Sequence, residues 1–517
     1  MPPWWESGVV YQIYPRSFQD SDGDGVGDLA GIESRLDYVA ALGVDAIWLS
    51  PIFPSPMADF GYDVADYVGI EPMFGDLAGF DRLLAAAHAR GLKLILDFVP
   101  NHSSDQHPWF QASRASRNDP KRDWYIWRDA GPDGGPPNNW ISDFGGSAWT
   151  WDDATGQYYL HAFLKEQPDL NWRNPELRAA MLDVLRFWLD RGVDGFRIDV
   201  LWHIVKAEGL PDNPPNPDWT PDRTERDRVL QQHSTDQPEA HAISAEMRAL
   251  ADSYGERVLI GEIFLPNHRH ARWYGTPERP QVHLPFNFQL VENDWDAATL
   301  RRVIVDYEAS LPAHGWPNWV FGSHDAPRIA ARIGENQARV AAMLLLTLRG
   351  TPTLYQGDEL GIGKVDISPH RIRDPQHFRQ PLLDIGRDRS RTPMPWDASA
   401  NAGFTSGEPW LPLNGDWPVR NVAVQEGDPD SMLNVYRNLL ALRRAQPPLA
   451  VGSMKLIDAP EGVLAYEREQ DGKRLTVLLN LTSHNITCPW QSTALLSTLN
   501  GDPEPGMLYP DEGLILA

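Results

Sequence analysis

The sequence predicts an α/β protein: a (β/α)8 TIM barrel with a loop-rich insertion after the third strand and an antiparallel β domain at the C-terminus. Short apolar segments recur eight times, and helix-like stretches separate most of them. Most of these segments are unbroken apolar runs, which are typical of strands buried on both faces of a parallel sheet. The alternation ends near residue 447, where strand-like segments follow one another without helices. These observations favour a barrel followed by a small β domain.

The predicted strands are apolar segments bounded by turn or helix signals. In chain order they are residues 9–15, 46–51, 93–100, 195–200, 258–264, 283–288, 319–325 and 351–359. Helical periodicity is clearest in residues 29–43, 80–91, 178–192, 338–350 and 431–446. Gly43 closes the first of these helices, because glycine readily adopts the conformation that ends a helix.

Two long interruptions divide the chain. The predicted parts are a barrel of residues 1–100 and 174–446, a B domain of residues 101–173 and a C-terminal β domain of residues 447–517. A second insertion, residues 361–430, follows the eighth strand. Both insertions come after the C-terminal ends of strands, where barrel proteins carry their active sites. We therefore expect the functional residues at that end of the barrel.

The composition excludes several classes of partner. The 517 residues carry a formal net charge of -25, so neither nucleic acid nor an anionic membrane is expected to bind. The charge is compatible with a small neutral oligosaccharide or disaccharide, and the 21 Trp and 15 Tyr residues suit the apolar faces of sugars. Cys488 is the only cysteine, and the N-terminus lacks a secretion signal. These features predict a cytoplasmic protein without a membrane span.

Three carboxylates are predicted at the C-terminal ends of barrel strands. Asp199, Glu262 and Asp325 belong to the ends of the fourth, fifth and seventh apolar segments. A carboxylate at the end of a buried strand is costly unless it is paired or has a chemical role. Two carboxyl groups that face a narrow gap suit glycoside cleavage, because one can attack the anomeric carbon while the other protonates the leaving oxygen.

The neighbours of these carboxylates indicate how the roles divide. Arg197 stands two residues before Asp199, hence on the same strand face, and would keep a nucleophilic carboxylate ionised. Glu262 must instead hold a proton at neutral pH, so we expect it in a drier pocket with a raised pKa. Asp325, next to His324, is expected to hold substrate hydroxyls and to stabilise an oxocarbenium-like charge.

The segment DSDGDGVGD, residues 20–28, predicts a cation-binding loop. Carboxylates at alternate positions supply the oxygen ligands that Ca²⁺ prefers. The residue that would be the final Glu of an EF-hand loop is Gly31, and a strand pattern precedes the segment, so it is not an EF-hand. A solvated acidic turn is the alternative interpretation. The predicted ligands are the side chains of Asp20, Asp22, Asp24 and Asp28 and the carbonyl oxygen of Val26.

Four segments resemble the signature regions of glycoside hydrolase family 13, the α-amylase family: DFVPNH, GFRIDV, GEIF and FGSHD. They occur in the family's order, and the resemblance spans essentially the whole chain. It implies a retaining α-glycosidase with Asp199 as nucleophile, Glu262 as acid/base catalyst and Asp325 as transition-state stabiliser. It also implies a set of side chains around the non-reducing glucose: Tyr62, Asp63, His102, Arg197 and His324.

Two further segments, QPDLNW and GRDRSRTPMPW, resemble the oligo-1,6-glucosidase and α-glucosidase subgroup of that family. The subgroup's pattern implies that Arg387 reaches the terminal sugar and that Phe144 and Phe163 line the same pocket. Pro395 stands where the pattern has Gln. The resemblance also implies one structural Ca²⁺ or Mg²⁺ ion, bound in the loop of residues 20–28, and no organic cofactor.

The resemblance therefore implies an exo-acting α-glucosidase that releases terminal α-linked glucose through a covalent glucosyl–Asp intermediate. Val200 resembles the α-1,6-cleaving members, since a β-branched side chain narrows the space for the second sugar. Isomaltose-like substrates are favoured, with maltose, trehalose and sucrose as further candidates, and transglucosylation stays open. Trehalose synthase or sucrose isomerase activity would use the same triad. A non-catalytic member, similar to the heavy chains of amino-acid transporters, is disfavoured because the triad is complete and no span is predicted.

Overall fold

Eight parallel strands form the barrel in the computed structural model, which describes residues 2–490 and 492–517. Met1 and Gln491, which fall in the predicted barrel and β domain, lie outside the described residues. The strands are β1 (Val10–Ile13), β2 (Ala46–Leu49), β3 (Lys93–Phe98), β4 (Gly195–Ile198), β5 (Val258–Gly261), β6 (Leu284–Pro285), β7 (Asn318–Val320) and β8 (Thr351–Tyr355). Their order is β6-β5-β4-β3-β2-β1-β8-β7, and a parallel bridge between Asn287 and Trp319 leaves the barrel nearly closed. The predicted fold class is confirmed.

The strands end earlier than the apolar segments of the sequence. Asp199 and Glu262 are the first residues after β4 and β5, and Asp325 lies in the loop that follows β7. Because the ladder stops before them, these polar side chains reach the mouth of the barrel and are not buried between the sheet and the outer helices.

Helices cover the outside of the barrel between successive strands. Their apolar side chains are buried; the ring of Trp188, for example, lies 5.6 Å from that of Phe53, in the loop after β2, and 5.0 Å from that of Phe80, on a neighbouring helix. In chain order the barrel helices are Leu29–Ser34, Leu36–Leu42, Leu77–Ala89, Pro175–Arg191, Pro238–Asp252, Asn267–His270, Ala297–Ser310, Glu335–Thr347 and Met432–Ala445. The connection from β5 to β6 is the short one.

Residues 101–173 form a lobe beside the mouth of the barrel. Its regular elements are the helix Pro108–Ala115 and an antiparallel sheet of Trp127–Arg128, Gln157–Leu160 and Trp149–Asp152. Lys206 of the barrel ties the lobe in place, because its ammonium lies 2.8 Å from both Asp169 Oδ2 and Asn101 Oδ1. Both charged side chains are almost fully buried, so the loss of either one would leave an uncompensated charge.

The C-terminal segment forms a five-stranded antiparallel sheet. Its strands, in spatial order, are Ser453–Leu456, Val463–Gln470, Lys473–Asn480, Gly513–Leu516 and Ala494–Ser497. The sheet packs on the barrel helix Glu335–Thr347: the Tyr466 hydroxyl hydrogen-bonds Thr347 Oγ1, and Gln337 Nε2 donates to the Asn480 carbonyl at 3.2 Å. Among the described residues, we find no helix that combines the length and the apolar character needed to cross a membrane.

Gly195 allows β4 and β5 to pair closely below the functional end. A Cβ atom at this position would lie 2.1 Å from the carbonyl oxygen of Val258 and 2.9 Å from its nitrogen. Both atoms belong to the backbone of the neighbouring strand, so they cannot move without disturbing the ladder that carries Arg197. Space alone therefore requires glycine here.

The variant Gly195→Ala is expected to lower the free energy of unfolding by about 1–3 kcal/mol, the usual cost of overpacking. Urea denaturation followed by tryptophan fluorescence measures this. Gly363→Ala is the matched control, since no atom of the described residues lies within 4 Å of its Cβ position, and its effect should stay under about 0.5 kcal/mol. Equal unfolding midpoints for the two variants would contradict the steric account.

Candidate active site

The guanidinium group of Arg197 lies at the centre of the candidate site. It projects from β4 and is 2% exposed. Its Nη1 donates to Asp97 Oδ1 at 2.9 Å and to Asp199 Oδ1 at 2.6 Å, and its Nη2 lies 2.8 Å from Glu262 Oε2. Hydrogen bonds between ionised partners are stronger than neutral ones and keep both partners oriented. One cation thus gathers three carboxylates from β3 and from the ends of β4 and β5.

Asp199 and Glu262 form a pair of buried carboxyls that contact the same guanidinium. Each is 6% exposed, so burial does not distinguish Glu262 from Asp199 as we expected. Burial raises the pKa of both carboxyls, Arg197 opposes the shift, and neighbouring carboxylates add to it. Because interacting carboxyls lose their protons as a pair, the pair keeps a proton to a higher pH than an isolated carboxyl would. The pair can therefore supply one carboxylate and one carboxylic acid together.

Val200 turns the chain sharply after β4. Its φ of 35° and ψ of 44° lie in the left-handed region, which β-branched residues rarely adopt. The turn aims its amide at Glu262, whose Oε2 accepts the Val200 N–H at 2.8 Å. The predicted strand of residues 195–200 therefore stops short of Val200, and a strained residue stands beside both carboxyls of the pair.

Asp325 differs from that pair because two arginines and His324 surround it. Its Oδ1 accepts hydrogen bonds from Arg391 Nη2 at 2.7 Å and from Arg387 Nη1 at 3.2 Å, and its Oδ2 lies 3.0 Å from His324 Nε2. Although burial acts to raise it, His324 and the two arginines hold the pKa of Asp325 well below its usual range. Asp325 is therefore a permanent carboxylate at neutral pH.

His324 is held as a neutral ring. Burial lowers its pKa to about 4, against the pull of Asp325. Gln12 Nε2 lies 2.8 Å from His324 Nδ1, and the Tyr62 hydroxyl lies 2.7 Å from His324 Nε2. The rings of Tyr62 and His324 stack with centroids 5.3 Å apart, and the Tyr62 hydroxyl donates to Asp97 Oδ2 at 3.1 Å. This network links Asp325 to the carboxylates around Arg197.

Arg387 forms one wall of the site together with Asp59. Its Nη2 donates to Asp59 Oδ1 at 2.7 Å, and its guanidinium carbon lies 5.2 Å from the centre of the Phe144 ring. Asp63, predicted at this wall, is fully buried beneath it. The Asp63 carboxylate accepts hydrogen bonds from two backbone amides and from the Ser55 hydroxyl, all at 2.8–2.9 Å. The structure therefore places Asp63 beneath the lining, where it shapes the turn, and places Asp59 in the lining.

These side chains surround a cavity of about 330 Å³. Most of the predicted site residues line it: Tyr62, His102, Phe144, Phe163, Asp199, Val200, Glu262, Asp325 and Arg387. Arg197 and His324 lie behind this lining, in a smaller adjoining space that also reaches Glu262 and Asp325. Burial lowers the pKa of His102 to about 3, which keeps that ring neutral.

Sequence reasoning missed several lining residues: Asp59, Asp143, Gln167, Trp202, Thr224, Arg226, Asp227, Phe264 and Gln376. Two of them could have been found from the sequence, because they lie in or next to recognised segments. Asp59 lies in the same turn as Tyr62, and Gln167 opens the QPDLNW segment and places its Nε2 3.1 Å from His102 Nε2. Thr224, Arg226 and Gln376 come from long irregular loops, where no periodicity marks which side chains turn inward.

The acidic loop brings three of its predicted ligands together. Carboxylate oxygens of Asp20, Asp22 and Asp28 lie within 4.8 Å of one another, a spacing that fits a hard cation bound through oxygen. Asp20 and Asp28 are buried, whereas Asp22 is exposed. Asp24 is not part of this group; its Oδ1 accepts the Val26 N–H at 2.7 Å. The loop thus supplies part of the ligand set that such a cation needs.

Known proteins resemble this chain over nearly its full length. The family model for the catalytic domain of alpha-amylase matches residues 12–452. A probable alpha-glucosidase of Rhizobium meliloti (strain 1021) is 42% identical over 502 residues, which cover 94% of this chain and 90% of that protein. An oligo-1,6-glucosidase of Heyndrickxia coagulans is 39% identical over 527 residues, which cover 94% of each.

Solved structures agree with these relatives. An alpha-glucosyl transfer enzyme superposes with a TM-score of 0.94 at 41% identity, covering 100% of both chains. The trehalulose synthase of Pseudomonas mesoacidophila MX-45 superposes with a TM-score of 0.91 at 38% identity, covering 100% of this chain and 99% of that one. The family match, the identities and the shared fold all confirm the resemblance found in the sequence. The chain belongs to the α-amylase family of glycoside hydrolases.

Proposed function

We propose that the protein is a retaining, exo-acting α-glucosidase that hydrolyses terminal α-linked glucose from short neutral oligosaccharides. One observation carries the proposal: Asp199 and Glu262 share the guanidinium of Arg197 at the wall of a cavity lined by aromatic and polar side chains. A close carboxyl pair suits double displacement, whereas an inverting enzyme needs a wider gap to admit water between the two groups.

In the first step the Glu262 carboxylic acid protonates the glycosidic oxygen while an Asp199 carboxylate oxygen attacks the anomeric carbon. The bond to the leaving sugar breaks, and an ester forms between glucose and Asp199. In the second step the Glu262 carboxylate takes a proton from water, whose oxygen attacks the same carbon and frees Asp199. Burial raises the pKa of both carboxyls, so a proton can stay in the site, and the resemblance to the family assigns that proton to Glu262.

Positive charge develops on the sugar ring in both steps, and Asp325 is suited to stabilise it. Its pKa is held low by His324 and two arginines, so it is charged before the substrate arrives and needs no rearrangement during the reaction. The Arg387–Asp59 pair offers donors and acceptors to the hydroxyls of the terminal ring. This wall supports release of one glucose at a time from the non-reducing end.

For the linkage we propose a preference for α-1,6 bonds, as in isomaltose, over maltose, trehalose and sucrose. Val200 lines the cavity directly after the proposed nucleophile, and its left-handed backbone sets the direction of its Cα–Cβ bond. A difference of methyl size is worth roughly 1–3 kcal/mol, so a preference is expected and not exclusion. The similarity to an oligo-1,6-glucosidase supports this choice.

Glucosyl transfer is the second candidate function. The solved structures that resemble this chain include an alpha-glucosyl transfer enzyme and a trehalulose synthase. In transfer or isomerisation the same ester forms on Asp199, but a sugar hydroxyl replaces water in the second step. Chromatography of the products from sucrose and isomaltose separates the functions, because hydrolysis yields only monosaccharides whereas transfer or isomerisation yields a new oligosaccharide.

We also propose that the loop of residues 20–28 binds one Ca²⁺ or Mg²⁺ ion with a stabilising role. Asp20, Asp22 and Asp28 would supply carboxylate oxygens, and Asp24 and the Val26 carbonyl would complete the set after a small adjustment of the loop. Such an ion would neutralise the repulsion among carboxylates that otherwise crowd one turn. The proposed reaction runs entirely on Asp199, Glu262 and Asp325 and does not require it.

The variant Asp199→Ala is expected to reduce kcat on p-nitrophenyl α-glucoside by roughly 10⁴-fold or more, as the loss of a nucleophile does elsewhere. Asp183→Ala, on an exposed face of the helix Pro175–Arg191, is the control and should keep wild-type activity. Activity of Asp199→Ala within tenfold of wild type would refute the assignment of the nucleophile.

Glu262→Gln is expected to lower kcat/KM for isomaltose more than for p-nitrophenyl α-glucoside, because an activated phenol leaves without protonation.

Wild-type kcat/KM should fall as pH rises through the macroscopic pKa of the pair, when Glu262 loses its proton. Because burial raises that pKa, the alkaline fall should lie above the ordinary Glu range. The pH profile of each substrate measures this. An unchanged alkaline limb in Glu262→Gln would assign the acid elsewhere.

Added Ca²⁺ or Mg²⁺ is expected to raise the melting temperature of chelator-treated protein while changing the initial rate little, since a ligand that binds only the folded state stabilises it. Asp22→Ala should abolish that thermal shift, because it removes one of the proposed carboxylate ligands. The loop should otherwise stay intact, because this exposed carboxylate makes few contacts within it. Asp24→Ala tests whether the fourth carboxylate also binds. A metal-dependent rate without a thermal shift would contradict a stabilising role.

A further inference from the structure

Asp374 lies outside the cavity but is directly bonded to its wall. The side chain is fully buried, in the insertion that follows β8. Its carboxylate accepts four hydrogen bonds from Arg387: one from the backbone N–H at 2.6 Å, two from Nε at 3.1 and 3.2 Å, and one from Nη2 at 2.7 Å. No signature segment of the sequence contains it.

The geometry of this ion pair fixes the direction of the guanidinium. Asp374 occupies the edge formed by Nε and Nη2, so the remaining N–H groups must point away from it. Those groups meet Asp59 through Nη2 at 2.7 Å and Asp325 through Nη1 at 3.2 Å. A two-point pairing of this kind restricts rotation about the last torsions of arginine, which a single contact would not.

The charge of Asp374 is permanent. Burial acts to raise its pKa, but Arg387 overrides this and holds the pKa at about 2. The backbone N–H of Asp374 donates to Asp388 Oδ2 at 3.0 Å, and its own Oδ1 accepts the Gln376 N–H at 3.2 Å. Gln376 lines the cavity, so the Asp374 carboxylate bonds both to the loop that carries Gln376 and to Arg387.

We propose that Asp374 is a positioning residue for substrate binding: it orients Arg387 so that the cavity side of the guanidinium faces the terminal sugar between Asp59 and Asp325. The inference rests on the proposed function, since it assumes a sugar at that wall. Without Asp374 the guanidinium keeps only Asp59 and Asp325 as carboxylate partners. It then rotates to pair with these two side chains, and its N–H groups no longer point at the substrate.

The test is a double-mutant cycle on p-nitrophenyl α-glucoside and isomaltose. Asp374→Asn should raise KM at least tenfold with a smaller change in kcat. In an Arg387→Ala background the same change should alter KM less than twofold, because the group that Asp374 orients is then absent. Asp384→Asn is the control; that exposed residue pairs with Arg389 in the same insertion and should leave KM unchanged.

Chemical rescue gives an independent measurement. Millimolar guanidinium ion should restore part of the activity of Arg387→Ala, because Asp374 and Asp59 can hold the free cation, and should not restore Arg387→Ala/Asp374→Asn. Thermal unfolding checks that each variant is folded. If Asp374→Asn does not fold, Asp374→Glu takes its place, since it keeps the charge and displaces the carboxylate by one methylene.

Multiplicative KM effects in the cycle, or equal rescue of both backgrounds, would overturn the positioning role and assign Asp374 to loop stability alone. Failure of the proposed function is a separate result: the wild-type protein would then release no glucose from either substrate.

Discussion

The arrangement at the mouth of the barrel depends on one buried cation. Arg197 has almost no contact with solvent, and its two terminal nitrogens hold Asp97, Asp199 and Glu262. Three carboxylates could not share so small a space without it, because an unpaired charge in the interior costs several kcal/mol. Burial raises the pKa of Asp199 and of Glu262, and Arg197 offsets only part of that rise.

The barrel explains why these groups meet. In a parallel sheet the C-terminal ends of neighbouring strands lie at one edge, and the register places Asp97 of β3 beside Arg197 of β4. Val200 then turns the chain so that its amide faces Glu262. The strain of this left-handed valine is tolerated because β4, β5 and the loop that follows are fixed by their own packing.

A second group of charges completes the site from the insertion after β8. Arg387 and Arg391 surround Asp325 and lower its pKa, whereas burial raises the pKa of the pair beside Arg197. Carboxyls of one site thus differ in their tendency to ionise because their surroundings differ. The two groups meet through His324 and Tyr62, and the ring of His324 stays neutral because it is buried.

Sequence reasoning recovered what depends on periodicity and on short motifs. The apolar runs predicted all eight strands, since burial on both faces leaves a clear pattern, and the motifs at their ends gave Asp199, Glu262 and Asp325. Sequence reasoning failed where the backbone conformation decides which side chain faces the cavity. Asp59 and Asp63 stand four residues apart in one turn, and only the fold shows which of them faces the cavity.

The remaining features lie in irregular segments, where no sequence pattern indicates them. The turn at Val200 looked like a continuation of its strand, because valine is a strong strand former. Asp374 and Gln376 lie in an insertion without repeat or alternation, where side-chain direction follows from tertiary contacts alone. Binding residues often lie on such loops, which vary more freely than the strands that support them.

The most direct test of the central claim is mass spectrometry of the protein after reaction with a fluorinated α-glucosyl fluoride whose glucosyl ester hydrolyses slowly. The account predicts a single fluoroglucosyl adduct on the peptide that contains Asp199, formed in the wild-type protein and absent in Asp199→Ala. An adduct on a different carboxylate, or turnover of the reagent with no covalent adduct on the wild-type protein, would contradict it.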